Sequence, residues 1–211
     1  MRLTLLERGK YYHIYNRGNN RENIFIEERN YRYFLQLYAK YIGPVADTYA
    51  YCLMRNHFHL LGRMKTEEEI LADPKGLATD PKGFQTPGLD LPGAGQQFGK
   101  LFNAYAKAIN TAYQRTGSLF QNPFRRKEVT SEAYFRQLVA YIHRNPQKHG
   151  FVKDFRDWPY SSYHTLLSDK PTHVKRVEVL EWFGDAPALV EFHLRDVSEG
   201  DISPVLLEEE W

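Results

Sequence analysis

The sequence predicts an α+β domain: an antiparallel sheet with helices packed on it, followed by a C-terminal helical or irregular tail. Three observations predict it. Runs with two-residue alternation and runs with helical spacing follow one another as β, α, β, β, α, β, α; a proline- and glycine-rich insert separates the third strand from the second helix; and the succession stops near residue 150, where the composition turns acidic. The first six elements make a βαββαβ succession, which suggests a ferredoxin-like sheet with its helices on one face.

Each element has its own signature. Residues 10–18, KYYHIYNRG, are aromatic and β-branched and run into a turn, so they read as a strand. Tyr31, Phe34, Leu35, Tyr38 and Ile42 recur at helical spacing up to the stop at Gly43-Pro44. VADTYAYCLM and HFHLLGRM read as two strands joined at Arg55-Asn56 as a β-hairpin. Residues 65–95 repeat Asp-Pro-Lys-Gly and are rich in proline and glycine, and are expected to form a flexible insert loop. Phe98, Leu101, Phe102, Tyr105, Ile109 and Tyr113 then mark a second helix that ends at Thr116-Gly117. SLFQNPFRRKEVT reads as the last strand, and SEAYFRQLVAYIHRN as a third helix stopping at Pro146. These elements define a principal domain at 1–150 and an extension at 151–211 with an aromatic cluster at Trp158, Tyr160 and Tyr163. Helix-like spacing recurs there around Leu180, Phe183, Leu189 and Phe192.

Charge is distributed unevenly although the net charge is only +2. Residues 1–63 carry 10 basic and 5 acidic side chains and residues 95–150 carry 9 and 2, against 3 and 6 in 64–94 and 6 and 13 in 151–211. Basic blocks interleaved with tyrosine and phenylalanine suit a nucleic-acid strand, because cations meet phosphates and rings stack on unpaired bases. The single Cys52 rules out an internal disulfide and reads as a core residue of a protein from a reducing compartment. No apolar run approaches the roughly 20 residues that span a bilayer, so a cytoplasmic protein with no membrane contact is expected.

Two motifs could carry chemistry. Alternation puts His57 and His59 on one strand face and Phe58 and Leu60 on the other, close enough for both imidazoles to reach one ion. Hydrogen bonding within a core is the plainer alternative. With Phe135, Leu138, Val139 and Ile142 set toward the core, a step of about 100° per residue brings Tyr134, Tyr141 and Asn145 to one flank of the third helix. One turn there could present a phenol and an amide oxygen to the same site. Simple packing is again the plainer alternative for Tyr141, one of 15 tyrosines.

His57-Phe58-His59 resembles the paired-histidine motif of the HUH endonucleases, and AYIHRNPQKHG resembles the nucleophile helix of the single-tyrosine HUH transposases. YYHIYNRGNNRENIF, LMRNHFHLL, GSLFQNPFRRKEV, YIHRNPQKHG and DWPYSSYHTLL are together similar, in the same order, to REP-associated tyrosine transposases. The resemblance covers about residues 11–167 apart from the insert. It implies a metal-dependent single-stranded DNA endonuclease and strand transferase. Mg²⁺ or Mn²⁺ would be held by His57, His59 and Asn145, with Tyr141 as nucleophile and Tyr134 as its fallback. His143 stands where some relatives have a further tyrosine. The implied partner is single-stranded DNA carrying a hairpin or palindromic element. Arg125, Arg126, Lys127, Lys100, Lys107 and Arg115 are candidate phosphate contacts, and Arg17, Arg21 and Trp158 lie in segments that would help hold a folded DNA end. Monomer and homodimer are both compatible, with the long tail favouring the monomer. A domesticated hairpin-binding protein without transposition activity is the alternative.

Overall fold

The computed structural model describes residues 5–73, 91 and 93–195. The elements are β1 (Tyr11–Arg17), α1 (Glu28–Tyr41), β2 (Ala46–Met54), β3 (His57–Met64), α2 (Glu67–Ala72), α3 (Ala94–Ala112), β4 (Arg125–Val129) and α4 (Glu132–Lys148). The tail adds α5 (Tyr163–Leu166), α6 (Arg176–Phe183) and α7 (Ala186–Leu194). The strands form one antiparallel sheet in the order β2-β3-β1-β4, the ferredoxin-like arrangement the pattern suggests. Arg55-Asn56 is the turn of the β2–β3 hairpin, and Cys52 is a fully buried core residue.

The helices cover both faces of the sheet, not the single face expected. Phe58 meets Phe34 of α1 at 5.3 Å and Phe102 of α3 at 5.8 Å between ring centres, while His59, on the other face, meets Tyr141 of α4 at 5.5 Å. The cause lies in β3 itself. Six of its eight residues are buried, and one covered face could bury only alternate side chains.

Two further expectations are corrected. Residues 65–95 are not one continuous loop, because β3 runs into α2 and α3 begins at Ala94. α2 starts on a capping box in which Thr66 Oγ1 accepts from Glu69 N–H and the Glu69 carboxylate accepts from Thr66 N–H at 2.8 Å, with Ile70 buried beneath. Residues 74–90 and 92 of that insert, and 196–211 of the tail, lie outside the described residues. Pro146 does not stop α4, which continues to Lys148. Asn145, just before it, stays helical with its Nδ2 donating to Tyr141 O at 3.2 Å. The helix-like spacing of residues 176–194 resolves into two helices, α6 and α7. Gly184 breaks it at φ +102°, a conformation open to glycine, and Asp185 caps α7 by accepting from Ala188 N–H at 2.7 Å.

The tail closes the outer edge of β2. Leu53 N–H donates to Tyr160 O and Ser162 N–H to Tyr51 O, both at 2.9 Å, and Lys175 N–H donates to Thr48 O at 2.8 Å. Tyr160 stacks on Tyr31 of α1 at 3.6 Å. No helix among the described residues is long and apolar enough to cross a membrane.

A buried polar chain ties α7 to α4. His193 Nδ1–H donates to Leu189 O at 2.7 Å, so its Nε2 accepts from His143 Nδ1–H at 2.8 Å, and His143 Nε2 accepts from the Ser162 hydroxyl at 2.7 Å. Every member of the chain then needs both imidazoles neutral. Burial pushes His143 well below the usual histidine value and His193 down to about 4. Folded-state values below the unfolded value mean that the stability is complete above about pH 6.5 and is lost as the pH falls. We expect the unfolding free energy from urea titrations to decline between about pH 6.5 and 4, by up to roughly 1.4 kcal/mol per pH unit for each histidine. A flat profile over that window would contradict this account of the chain.

Candidate active site

β3 presents His57 and His59 toward α4, and β1 lies alongside in a register that pairs Tyr15 with His59 and Arg17 with His57. His13, Tyr15 and Arg17 therefore share the histidine face. The two β3 rings stand 5.4 Å apart and nearly perpendicular. Tyr141 approaches edge-on, 5.5 Å from His59 and 6.2 Å from His13. Asn145, one turn on, lies against His57 and is completely buried. The meeting of His57 and His59 with Tyr141 and Asn145, which the family resemblance implies, is present in the fold.

Hydrogen bonds set the ring nitrogens. His57 Nδ1–H donates to Asn56 Oδ1 at 2.7 Å, leaving Nε2 with its lone pair. His59 Nδ1 pairs with His13 Nε2 at 2.9 Å; when His59 is the donor, its Nε2 is likewise a lone-pair donor. Burial pushes His57 down to about 3, helped by His149 and Arg17 nearby, and pushes His59 well below the usual value, with His13 adding to the shift. Both are neutral at pH 7, the form that binds a metal.

Asn145 Oδ1 is buried and accepts no hydrogen bond among the described residues, a costly arrangement unless something else meets that oxygen. No group of three or more His, Cys, Asp or Glu side chains among the described residues is placed to hold an ion. Two imidazoles and this amide oxygen are a donor set that a divalent cation of intermediate hardness accepts. They fit the group the sequence resemblance implies.

The other predicted site residues divide between the two faces. Arg125 and Lys127 pair with Tyr15 and His13 and so share the histidine face, whereas Arg126 pairs with Ile14 and faces α3. Lys100 and Lys107 are exposed on α3, on that second face. Arg115 is held by Glu22 and by Asn110 Oδ1 at 2.7 Å, clasping the end of α3 to the loop after β1. Arg21 is exposed at φ +60° in the turn after β1. Trp158 is only 8% exposed and its indole N–H donates to Leu53 O at 2.9 Å, so it anchors the tail and offers DNA no open ring face. Tyr134, the fallback nucleophile, lies beneath Lys127, whose Nζ is 5.3 Å from its ring centre. His143 points away from the site toward Ser162 and His193.

Four neighbours of the site escaped the sequence reading. His13 supports His59, and Asn56 supports His57. The Lys148 ammonium sits 5.6 Å from the Tyr141 ring centre, and the His149 ring stands 4.8 Å from that of His57. Lys148 and His149 had a signal, since they lie two helical turns beyond Tyr141 and one turn beyond Asn145. His13 had none, because cross-strand register is not visible in a single strand.

The site is thus a pair of histidines on an antiparallel sheet facing a tyrosine-bearing helix. No family model matches the chain. It is 28% identical over 118 residues to a Haemophilus influenzae protein named "Putative REP-associated tyrosine transposase", covering 56% of this chain and 59% of that one. It is 31% identical over 68 residues to the REP-associated tyrosine transposase of Escherichia coli, covering 32% and 38%. The chain thus spans between about two fifths and three fifths of the lengths of these curated relatives. It has the fold of a solved REP-associated tyrosine transposase bound to a REP hairpin, with a TM-score of 0.53 at 20% identity over 81% of this chain and 87% of that one. The chain is similar, over part of their length, to proteins named REP-associated tyrosine transposases.

The nitrogen assignments are directly measurable. Long-range ¹H–¹⁵N spectra of the metal-free protein at pH 7 should show the Nδ1–H form for His57 and His59, and His13→Phe should broaden or split the His59 signals as its ring loses the support. An Nε2–H form at both histidines would mean that neither can serve as a ligand through that atom.

Proposed function

We propose that this protein is a metal-dependent single-stranded DNA endonuclease and strand transferase that forms a 5′-phosphotyrosine through Tyr141 at hairpin-bearing DNA ends. The observation that carries the reading is the meeting of Tyr141 with His57, His59 and the unpartnered Asn145 oxygen at one buried place. The relatives' names support the same reading, as does the REP hairpin bound to the related structure.

A Mg²⁺ or Mn²⁺ ion held by His57, His59 and Asn145 would supply positive charge to the scissile phosphate and its leaving oxygen. The chain's own residues do the rest. Tyr141 Oη attacks phosphorus, the P–O3′ bond breaks, and the phenol proton ends on the departing 3′-hydroxyl, so the ester is conserved for rejoining. Lys148, beside the Tyr141 ring, is a cation placed to meet the charge of that phosphate. Asn145 Nδ2, bonded to Tyr141 O, ties the ligand to the same turn as the nucleophile. Arg125 and Lys127, on the same sheet face, are suited to positioning the DNA backbone.

Tyr141→Phe should abolish covalent capture of a 3′-labelled single-stranded hairpin oligonucleotide in Mn²⁺, seen as loss of the shifted band on a denaturing gel, while hairpin affinity stays within about threefold. Persistent capture would assign the nucleophile elsewhere. Calorimetric titration with Mn²⁺ should show one site on the wild-type protein, weakened roughly tenfold or more in Asn145→Ala and lost in His57→Ala. Unchanged Mn²⁺ binding in both variants would remove the metal from this place.

A further inference from the structure

Beyond Tyr141 and Asn145, the end of α4 brings one more side chain to the β3 histidines. The ring centre of His149 stands 4.8 Å from that of His57, closer than the 5.4 Å that separates His57 from His59. We propose that His149 is a further ligand of the ion held by His57, His59 and Asn145, so that the site takes a transition-metal cation of borderline softness, such as Mn²⁺, Co²⁺ or Zn²⁺, in preference to Mg²⁺. This rests on the reading of those three residues as a metal site and narrows the ion that it holds.

The backbone places the two ligand pairs. His149 ends α4 at φ −88° and ψ 7°, and its N–H donates to Asn145 O at 2.9 Å, so the helical register runs through it. Asn145 and His149 are therefore i and i+4 on one face, the spacing at which two side chains of a helix reach the same ion. His57 and His59 meet them from β3 at the two-residue spacing of a strand. A pair from the strand thus faces a pair from the helix.

The four side chains differ in how firmly they are held. His57 is tied to Asn56 Oδ1 at 2.7 Å and His59 to His13 Nε2 at 2.9 Å, and Asn145 is completely buried with its Oδ1 unmet among the described residues. His149 is exposed, and no hydrogen bond holds its ring among the described residues. As the side chains stand, the three imidazoles do not close on one point. His149 is the one whose side chain can turn to complete the set, because neither packing nor a hydrogen bond fixes it.

The preferred ion follows from the donors. Mg²⁺ takes oxygen ligands in near-octahedral sets and gives up its waters reluctantly, so a third imidazole adds little to its binding. Three imidazoles and an amide oxygen are a nitrogen-rich set, which favours the divalent transition metals and Zn²⁺ over Mg²⁺. Without His149 the set has equal claims from nitrogen and from water, and the preference shrinks.

The test uses Co²⁺ and Zn²⁺ as probes on the full chain. Co²⁺ should bind the wild-type protein roughly tenfold or more tighter than Mg²⁺ and give the visible bands of a nitrogen-rich site. His149→Ala should weaken Co²⁺ binding by roughly tenfold or more and diminish those bands, while Mg²⁺ binding moves less than about twofold and the melting temperature without added metal is unchanged. Zn²⁺ should also shift the ring ¹⁵N signals of His149 in the wild-type protein; if His149→Ala lowers the melting temperature, that shift decides. Co²⁺ affinity and bands unchanged in His149→Ala, His149 nitrogens unmoved by Zn²⁺, or Mg²⁺ bound as tightly as Co²⁺ would each overturn the proposal and leave the site of His57, His59 and Asn145 standing. Wild-type protein that binds none of the three ions overturns the metal reading and this one with it.

Discussion

Everything at the candidate site depends on the burial of β3 from both sides. Between two helical layers its alternation cannot slip, because a shift of one residue would drive Phe58 and Leu60 into α4 and the imidazoles into the apolar layer under α1 and α3. The aromatic packing around Phe58 is therefore what aims His57 and His59. The precision of the site is inherited from a core that makes no contact with any reacting atom.

α4 does on the other face what β3 does in the sheet. One side of it carries Tyr141 and Asn145 toward the histidines, and the side carrying His143 is bound to the tail through Ser162 and His193. Two histidine pairs thus lie on either flank of the same helix, His13 with His59 and His143 with His193. The first leaves nitrogen lone pairs facing the candidate site; the second uses its lone pairs internally. The same residue type is in one case available to a ligand and in the other a structural tie, and the difference lies in what stands at the second ring nitrogen.

Most of the fold could be read from the chain. Strands with two-residue alternation, the Arg55-Asn56 turn and the helical stripes at Phe34 and Phe98 were legible because local periodicity reports local structure. So were the pairs His57 with His59 and Tyr141 with Asn145, each set by spacing within one element, whereas the meeting of the two pairs came from the family resemblance. α2 could have been read as well, since Thr66 and Glu69 form a capping box, but the proline- and glycine-rich residues after it dominated the reading. What depends on contacts across elements was not legible. Helices on both faces, His13 behind His59, the division of Arg125, Arg126 and Lys127 between the faces, and the burial of Trp158 all follow from register and packing. Trp158 misled because an aromatic beside basic residues looks the same in sequence whether it stacks on a base or closes a core.

The tail's grip on β2 has a consequence for where the chain can be divided. A sheet has two edges; β4 is left open here, and β2 is covered by residues 160–162 and 174–175 through main-chain bonds. A chain ending at residue 150 would bare a nine-residue apolar edge strand, a ready template for pairing with the same strand of another molecule. It would also strip the cover from the flank of α4 that holds His143. In folding terms, residues 151–195 complete the cover of the sheet and of α4, and the change in composition near 150 marks a change of surface charge with no break in the core.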